Sequence, residues 1–84
     1  MNALFFVMGC VDGRLVLTLE ETADMLGMAL QTAYNQIDAG TFPIPLRKNG
    51  RKWVADARDI AEYLDLMRKE AREAHDALKR KLAA

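Results

Sequence analysis

Residues 17–40 read LTLEETADMLGMALQTAYNQIDAG, and the punctuation of this stretch decides the fold. Thr18 and Glu21 form a T-x-x-E capping box, which satisfies the orphan amides at a helix start. Leu19, Thr22, Ala23 and Leu26 then fall on one helical face and seek a core. Gly27 supplies the positive φ that ends the helix, and Met28 begins a tight turn. A second helix is expected from about Ala29 to Ala39, and Gly40 stops it in the same way.

On the second helix Leu30, Ala33, Tyr34 and Ile37 share the face expected to be buried. Gln31, Thr32 and Asn35 point the other way, near its N-terminal half. A helix-turn-helix presents its base-reading side chains from that position. Small residues at Ala23, Ala29 and Ala33 let the two helices cross closely. The competing reading is an ordinary helical hairpin with a solvated polar face.

The chain has 84 residues, half of them hydrophobic, with 12 cations balancing 12 acids. This size gives one small domain with a modest core, and the composition favours folding over disorder. Neutrality argues against a generic polyanion binder, but the charges are segregated. Residues 19–40 hold Glu20, Glu21, Asp24 and Asp38 and no cation, whereas residues 41–55 hold Arg47, Lys48, Arg51 and Lys52 and no acid. A dipolar domain of this kind can bind nucleic acid locally.

Cys10 is the only cysteine, so no intrachain disulfide is possible and a reducing cytoplasm fits best. One histidine and one cysteine cannot build a zinc site. Serine is absent, and no nucleophile–base or carboxylate pair has catalytic spacing. The expectation is a non-enzymatic protein with no cofactor, metal or small-molecule substrate.

The chain opens with NALFFVMGCV over residues 2–11, an apolar run too short to span a bilayer. It lacks the flanks of a signal peptide, so no membrane partner is expected. Asp12-Gly13 is a two-residue hairpin signal between Phe5–Val11 and Arg14–Leu17. These residues are read as an N-terminal strand pair; a short buried helix over residues 3–9 is the alternative, which periodicity cannot separate. Phe5 and Phe6 are assigned to the core or to an oligomer contact.

After Gly40 the chain continues TFPIPLRKNGRKWVADA over residues 41–57. Pro43 and Pro45 force an extended path, and Asn49-Gly50 asks for a type I′ hairpin. That register sets Lys48 opposite Arg51, Arg47 opposite Lys52 and Leu46 opposite Trp53. Two of these pairs are like charges, which is destabilising. Phosphate explains four crowded cations; an edge protected against aggregation is the alternative, but needs fewer.

Asp56 caps a last helix. Ile60, Leu64, Met67, Ala71, Ala74 and Leu78 form a heptad seam along it. Residues 57–82 would make a helix of about 39 Å, and only its first turns can cover a core this small. Asp65–Lys69 and Asp76–Arg80 are i,i+4 pairs on its exposed face. The remainder is expected to be solvated or to pair with a second copy.

Residues 17–65 together resemble the compact winged helix-turn-helix of the excisionase and AlpA-like regulators, related in fold to the MerR group. The matched pattern is the capping box, Thr32 and Tyr34 on the second helix, Gly40 before the proline turn, the basic hairpin, and a closing helix with Tyr63-Leu64. The opening MNALFFVMGCVDGRLVLTLEE resembles the start of the pyocin-activator family, small phage-derived transcription activators. The resemblance implies an α+β fold: residues 1–17 an N-terminal strand pair, 18–65 the winged helix-turn-helix, and 66–84 a C-terminal helical extension. It implies double-stranded DNA as partner, with Gln31, Thr32 and Asn35 at base edges and Tyr34 at the backbone boundary. Arg47, Lys48, Arg51 and Lys52 become the wing contacts. Two positions depart from the pattern: Ala29 replaces a Ser or Thr cap, and Asn35 replaces an arginine. Asn suits an adenine edge, where Arg suits guanine or phosphate, so binding should lean on the wing and on a dimer or array. Three roles are implied or left open: a prophage or mobile-element transcriptional activator, an excisionase directing recombination at attachment-site repeats, and an interaction adaptor built on residues 64–82.

Overall fold

The computed structural model describes residues 3–83. Met1, Asn2 and Ala84, which belong to the expected N-terminal strand pair and C-terminal extension, lie outside the described residues. In chain order the elements are α1 (Ala3–Cys10), β1 (Val16–Thr18), α2 (Leu19–Leu26), α3 (Leu30–Ala39), β2 (Arg47–Asn49), β3 (Lys52–Asp56) and α4 (Ala57–Ala83). The three strands form one antiparallel sheet in the order β1-β3-β2.

The pair α2–α3 forms as its punctuation dictates. Thr18 caps α2 with a complete capping box: its hydroxyl accepts from the Glu21 amide, and the Glu21 carboxylate accepts from the Thr18 amide. Such a cap contributes about 0.5–2 kcal/mol. Gly27 closes α2 and Gly40 closes α3, both left-handed at φ 73°. Leu19, Ala23 and Ala33 are buried together between the helices; Thr22 is also buried, and its hydroxyl donates back to the Thr18 carbonyl at 2.8 Å. Tyr34, expected on the buried face, is instead 46 % exposed.

The N-terminal strand pair does not form: residues 3–10 are helix α1. The run is apolar at every position, so it carries no period-2 pattern to hold a strand register, whereas a helix turns Val7 and Val11 fully inward together. Asp12 (φ 56°) and Gly13 (φ 78°) do adopt the two left-handed conformations that a type I′ hairpin needs, but they end a helix here. The Gly13 amide donates to the Met8 carbonyl at 2.6 Å, the six-to-one closure of a helix C-terminus. Freed from a hairpin, Val16–Thr18 pairs with β3 instead, and the Ala57 amide donates to the Leu15 carbonyl at 2.8 Å.

The main core gathers Val7 from α1, Val11 from the turn after it, Leu17, Ala55, Ile60 and Ala61, together with Ile44 from the proline segment. Pro43 and Pro45 impose the extended path expected of them, so Phe42, Ile44 and Leu46 point inward while both prolines stay exposed. Phe42 and Leu46 also touch the smaller Leu19–Ala23–Ala33 cluster and join the two. Arg14 fastens α1 to α2, donating to the Val11 carbonyl and pairing with Glu21.

Helix α4 begins at Asp56, whose carboxylate accepts from the Arg58 amide at 2.8 Å and from its guanidinium at 2.7 Å and 3.0 Å. These bonds hold the Asp56 carboxyl down at about 2 against an ordinary 3.8. Glu21 is likewise lowered, by Arg14 first and then by the Thr18 amide. A carboxyl depressed in the folded state contributes stability that is complete above its unfolded pKa and is lost as pH falls through the folded one. For Asp56 the loss falls between pH 3.8 and about 2. Urea titrations at pH 7 and pH 2.5 check this: Asp56→Asn should lose less stability across that interval than the parent chain.

The first turns of α4 carry Ile60 and Ala61 into the core beneath α1. Met67 is half-buried, and every described residue from Arg68 to Ala83 is exposed. Among the described residues Lys69 pairs at 4.0 Å with Glu73, not with Asp65. No helix among them is long and apolar enough to cross a membrane.

Candidate nucleic-acid interface

Helix α3 and the β2–β3 hairpin stand on either side of a cleft of about 270 Å³. Leu30 and Tyr34 line it from α3 and Lys48, Arg51, Lys52 and Trp53 from the hairpin, with Thr18, Leu19 and Glu20 completing the lining. Leu30 is half-buried against Ala33 and Leu19, and so fixes the inner edge of α3. Tyr34, one turn on, is left half-exposed at the cleft.

Beyond that edge lie Gln31, Thr32 and Asn35, all exposed as the helical period requires. The Gln31 amide donates to Asn35 Oδ1 at 3.1 Å. That bond orients the Asn35 head and leaves its NH₂ and a second oxygen lone pair free to pair outward. No side chain caps α3 at Ala29, in keeping with the missing hydroxyl there.

The two-residue loop lies one position later than expected, which moves every cross-strand partner by two residues. Arg47 faces Val54, Lys48 faces Trp53 and Asn49 faces Lys52, so the two loop residues are Gly50 and Arg51. Gly50 has φ 68° and Arg51 has no positive φ, as for a type II′ turn, which wants glycine at its first central position. The physical reason is electrostatic: this register removes both like-charge pairs and replaces one with a contact of Lys48 Nζ over the Trp53 ring at 4.3 Å. Such a cation–π contact at an exposed site is worth roughly 0.5–1 kcal/mol. Trp53 and Leu46 anchor the hairpin to the α2–α3 cluster, though they are not the cross-strand partners expected.

All four hairpin cations are exposed, and among the described residues none forms an ion pair with an acid. Lys48, Arg51 and Lys52 border the cleft. Arg47 does not: it lies across from Val54 and within electrostatic reach of Asp56. Glu20, Leu30 and Trp53 are cleft residues that the sequence reading did not include. The Gly50-Arg51 turn, had it been chosen for the like charges it avoids, would have placed Trp53 beside Lys48.

The arrangement combines an exposed amide-bearing helix face with a cationic ridge across a groove, suited to a polyanion that also offers hydrogen-bonding edges. A family model described as a helix-turn-helix domain matches residues 16–68. No curated protein and no solved structure gives a significant match.

Proposed function

Because the chain belongs to the helix-turn-helix domain family, we propose that it is a sequence-specific double-stranded DNA-binding regulator of a prophage or similar mobile element, acting as a transcriptional activator without enzymatic parts. The observation that carries this reading is the exposure of Gln31, Thr32 and Asn35 on one face of α3, together with a hairpin whose four exposed cations form no ion pair with an acid among the described residues. In this reading α3 enters the major groove, and Asn35 Oδ1 accepts from adenine N6 while its amide donates to N7. Lys48, Arg51 and Lys52 meet the phosphates that border the groove, with Tyr34 at the boundary. Arg47 reaches the backbone from the outer side of the hairpin. The likeness of the N-terminus to phage-derived activators supports regulation of a promoter over excision.

Asn35→Ala should lose about 1–3 kcal/mol on the preferred duplex and little on random DNA, measured by competition binding. Equal losses on both would make Asn35 a positioning contact. Footprinting the neighbouring intergenic and attachment-site DNA tests the biological role. Protected promoter repeats support the regulator; protected attachment-site arms make the protein an excisionase; absence of any footprint leaves the adaptor reading.

A single α3 without an arginine on its exposed face makes few base contacts, so specific binding is expected from two or more protomers. Residues 68–83 of α4 are all exposed and are the assembly element in this reading.

A further inference from the structure

Glu20 is an acid placed among cations. It lines the cleft with Lys48, Arg51 and Lys52, yet among the described residues it forms no ion pair with any of them. Its neighbour Glu21 pairs with Arg14 and completes the cap of α2; Glu20 takes part in neither. It is exposed, as is Asp24 four residues on, a spacing at which like charges destabilise a helix. Glu20 also borders α3. With Leu30, in the first turn of that helix, it lines both the cleft and an adjoining one of about 500 Å³ that includes Asp24. The start of α3 therefore shares its cleft with three cations and one carboxylate.

Resting on the proposed DNA-binding reading, we infer that Glu20 limits the sequence-independent part of the affinity by repelling the phosphate that the hairpin cations attract. In a helix-turn-helix the second helix enters the major groove and the first crosses the backbone. Helix α2 is the first of the pair, so the carboxylate in its opening turn faces phosphate, a like charge. Binding to an arbitrary duplex draws almost wholly on phosphate contacts, and repulsion at one of them removes part of what the hairpin supplies. Binding to a preferred duplex draws also on the base edges that Gln31 and Asn35 reach, which offset the same repulsion. Glu20 thus keeps arbitrary DNA weakly held and leaves the choice of site to α3. The sign of the effect follows: removing this charge strengthens binding.

Glu20→Gln keeps the side-chain shape and leaves the Thr18–Glu21 cap intact. Asp24→Asn is the control: it removes the same charge from the same helix, but Asp24 does not line the cleft of the hairpin cations. Fluorescence titration of the full chain on a random-sequence duplex over a range of salt reads the effect. Glu20→Gln should bind about threefold more tightly or better at low salt, with a steeper loss of affinity as salt rises. Asp24→Asn should gain much less. In the Arg51→Ala/Lys52→Ala background the gain from Glu20→Gln should shrink, because phosphate is no longer drawn into the cleft. Equal gains in the two single variants, or a full gain in that background, would reduce the effect to net charge and overturn the inference. Unchanged or weaker binding by Glu20→Gln would overturn it too. A lowered urea midpoint would then assign Glu20 to the dipole of α2 alone, and a loss confined to a selected duplex would make it a base contact. In all of these outcomes binding by the parent chain leaves the helix-turn-helix reading standing; a parent chain that binds no duplex removes both.

Discussion

Replacing Arg51 and Lys52 together by alanine is expected to weaken binding to every duplex about equally, and to reduce the slope of log affinity against log salt by about two. Both side chains are exposed at the cleft edge, and neither engages an acid among the described residues. Their removal should therefore cost phosphate contacts and little folding stability. Each phosphate neutralised releases about 0.9 counterion from B-DNA, which sets the predicted change of slope. Fluorescence titrations of the double variant at four or more salt concentrations measure it. An unchanged slope would remove the hairpin from the interface.

The largest effect on folding is expected from Ile60→Ala. Ile60 is fully buried and sits where the first turns of α4, the α1 helix and Leu17 meet. Truncating an aliphatic side chain at such a site costs about 2–5 kcal/mol. A domain of this length has roughly 4–13 kcal/mol in all at about 0.05–0.15 kcal/mol per residue. The variant should show a much lower urea midpoint with an unchanged m-value. Leu78→Ala, on the exposed half of the same helix, should leave the midpoint of a dilute sample almost where it was. Comparable losses at both positions would mean that the far half of α4 supports the fold.

The contrast between these two aliphatic positions, Ile60 in the core and Leu78 on the exposed half of α4, bears on where the sequence was readable. Capping chemistry is local, so Thr18, Glu21, Gly27 and Gly40 placed α2 and α3 nearly to the residue. The heptad seam likewise placed α4, and the prolines excluded helix from residues 41–46 as expected. What escaped was chemistry that one local signal shares between two structures. Asp12-Gly13 takes the same pair of left-handed conformations in a hairpin and at a helix end, and a run apolar at every position cannot choose between them. The tertiary context, the packing of α1 against α4 and the core they share, made the choice. Asn49-Gly50 failed for a related reason: Gly50 can open a type II′ turn as readily as it can close a type I′ turn, and the cross-strand charges decided.

The candidate interface was legible in its composition more than in its geometry. Gln31, Thr32 and Asn35 are exposed where the helical period placed them, because an exposed arc follows from the buried one. Tyr34 was assigned to the buried arc, yet it lies at its margin and turns toward the cleft. The split of the four cations into three at the cleft and Arg47 outside it depends on the strand register, so a loop placed one residue too early was enough to hide it. Glu20 was read only as part of an acidic stretch; its place in the lining of the cleft depends on tertiary packing that a local charge pattern does not encode.

The central claim is that α3 and the basic hairpin together bind duplex DNA with sequence preference. The most direct measurement is the affinity of the full chain for a duplex selected from a random library, against an unselected duplex, across a range of salt. The account predicts that both bind at low salt and weaken log-linearly as salt rises, with the selected duplex held about 10³-fold more tightly or better. No binding at low salt, or a selection that enriches no sequence, would contradict it.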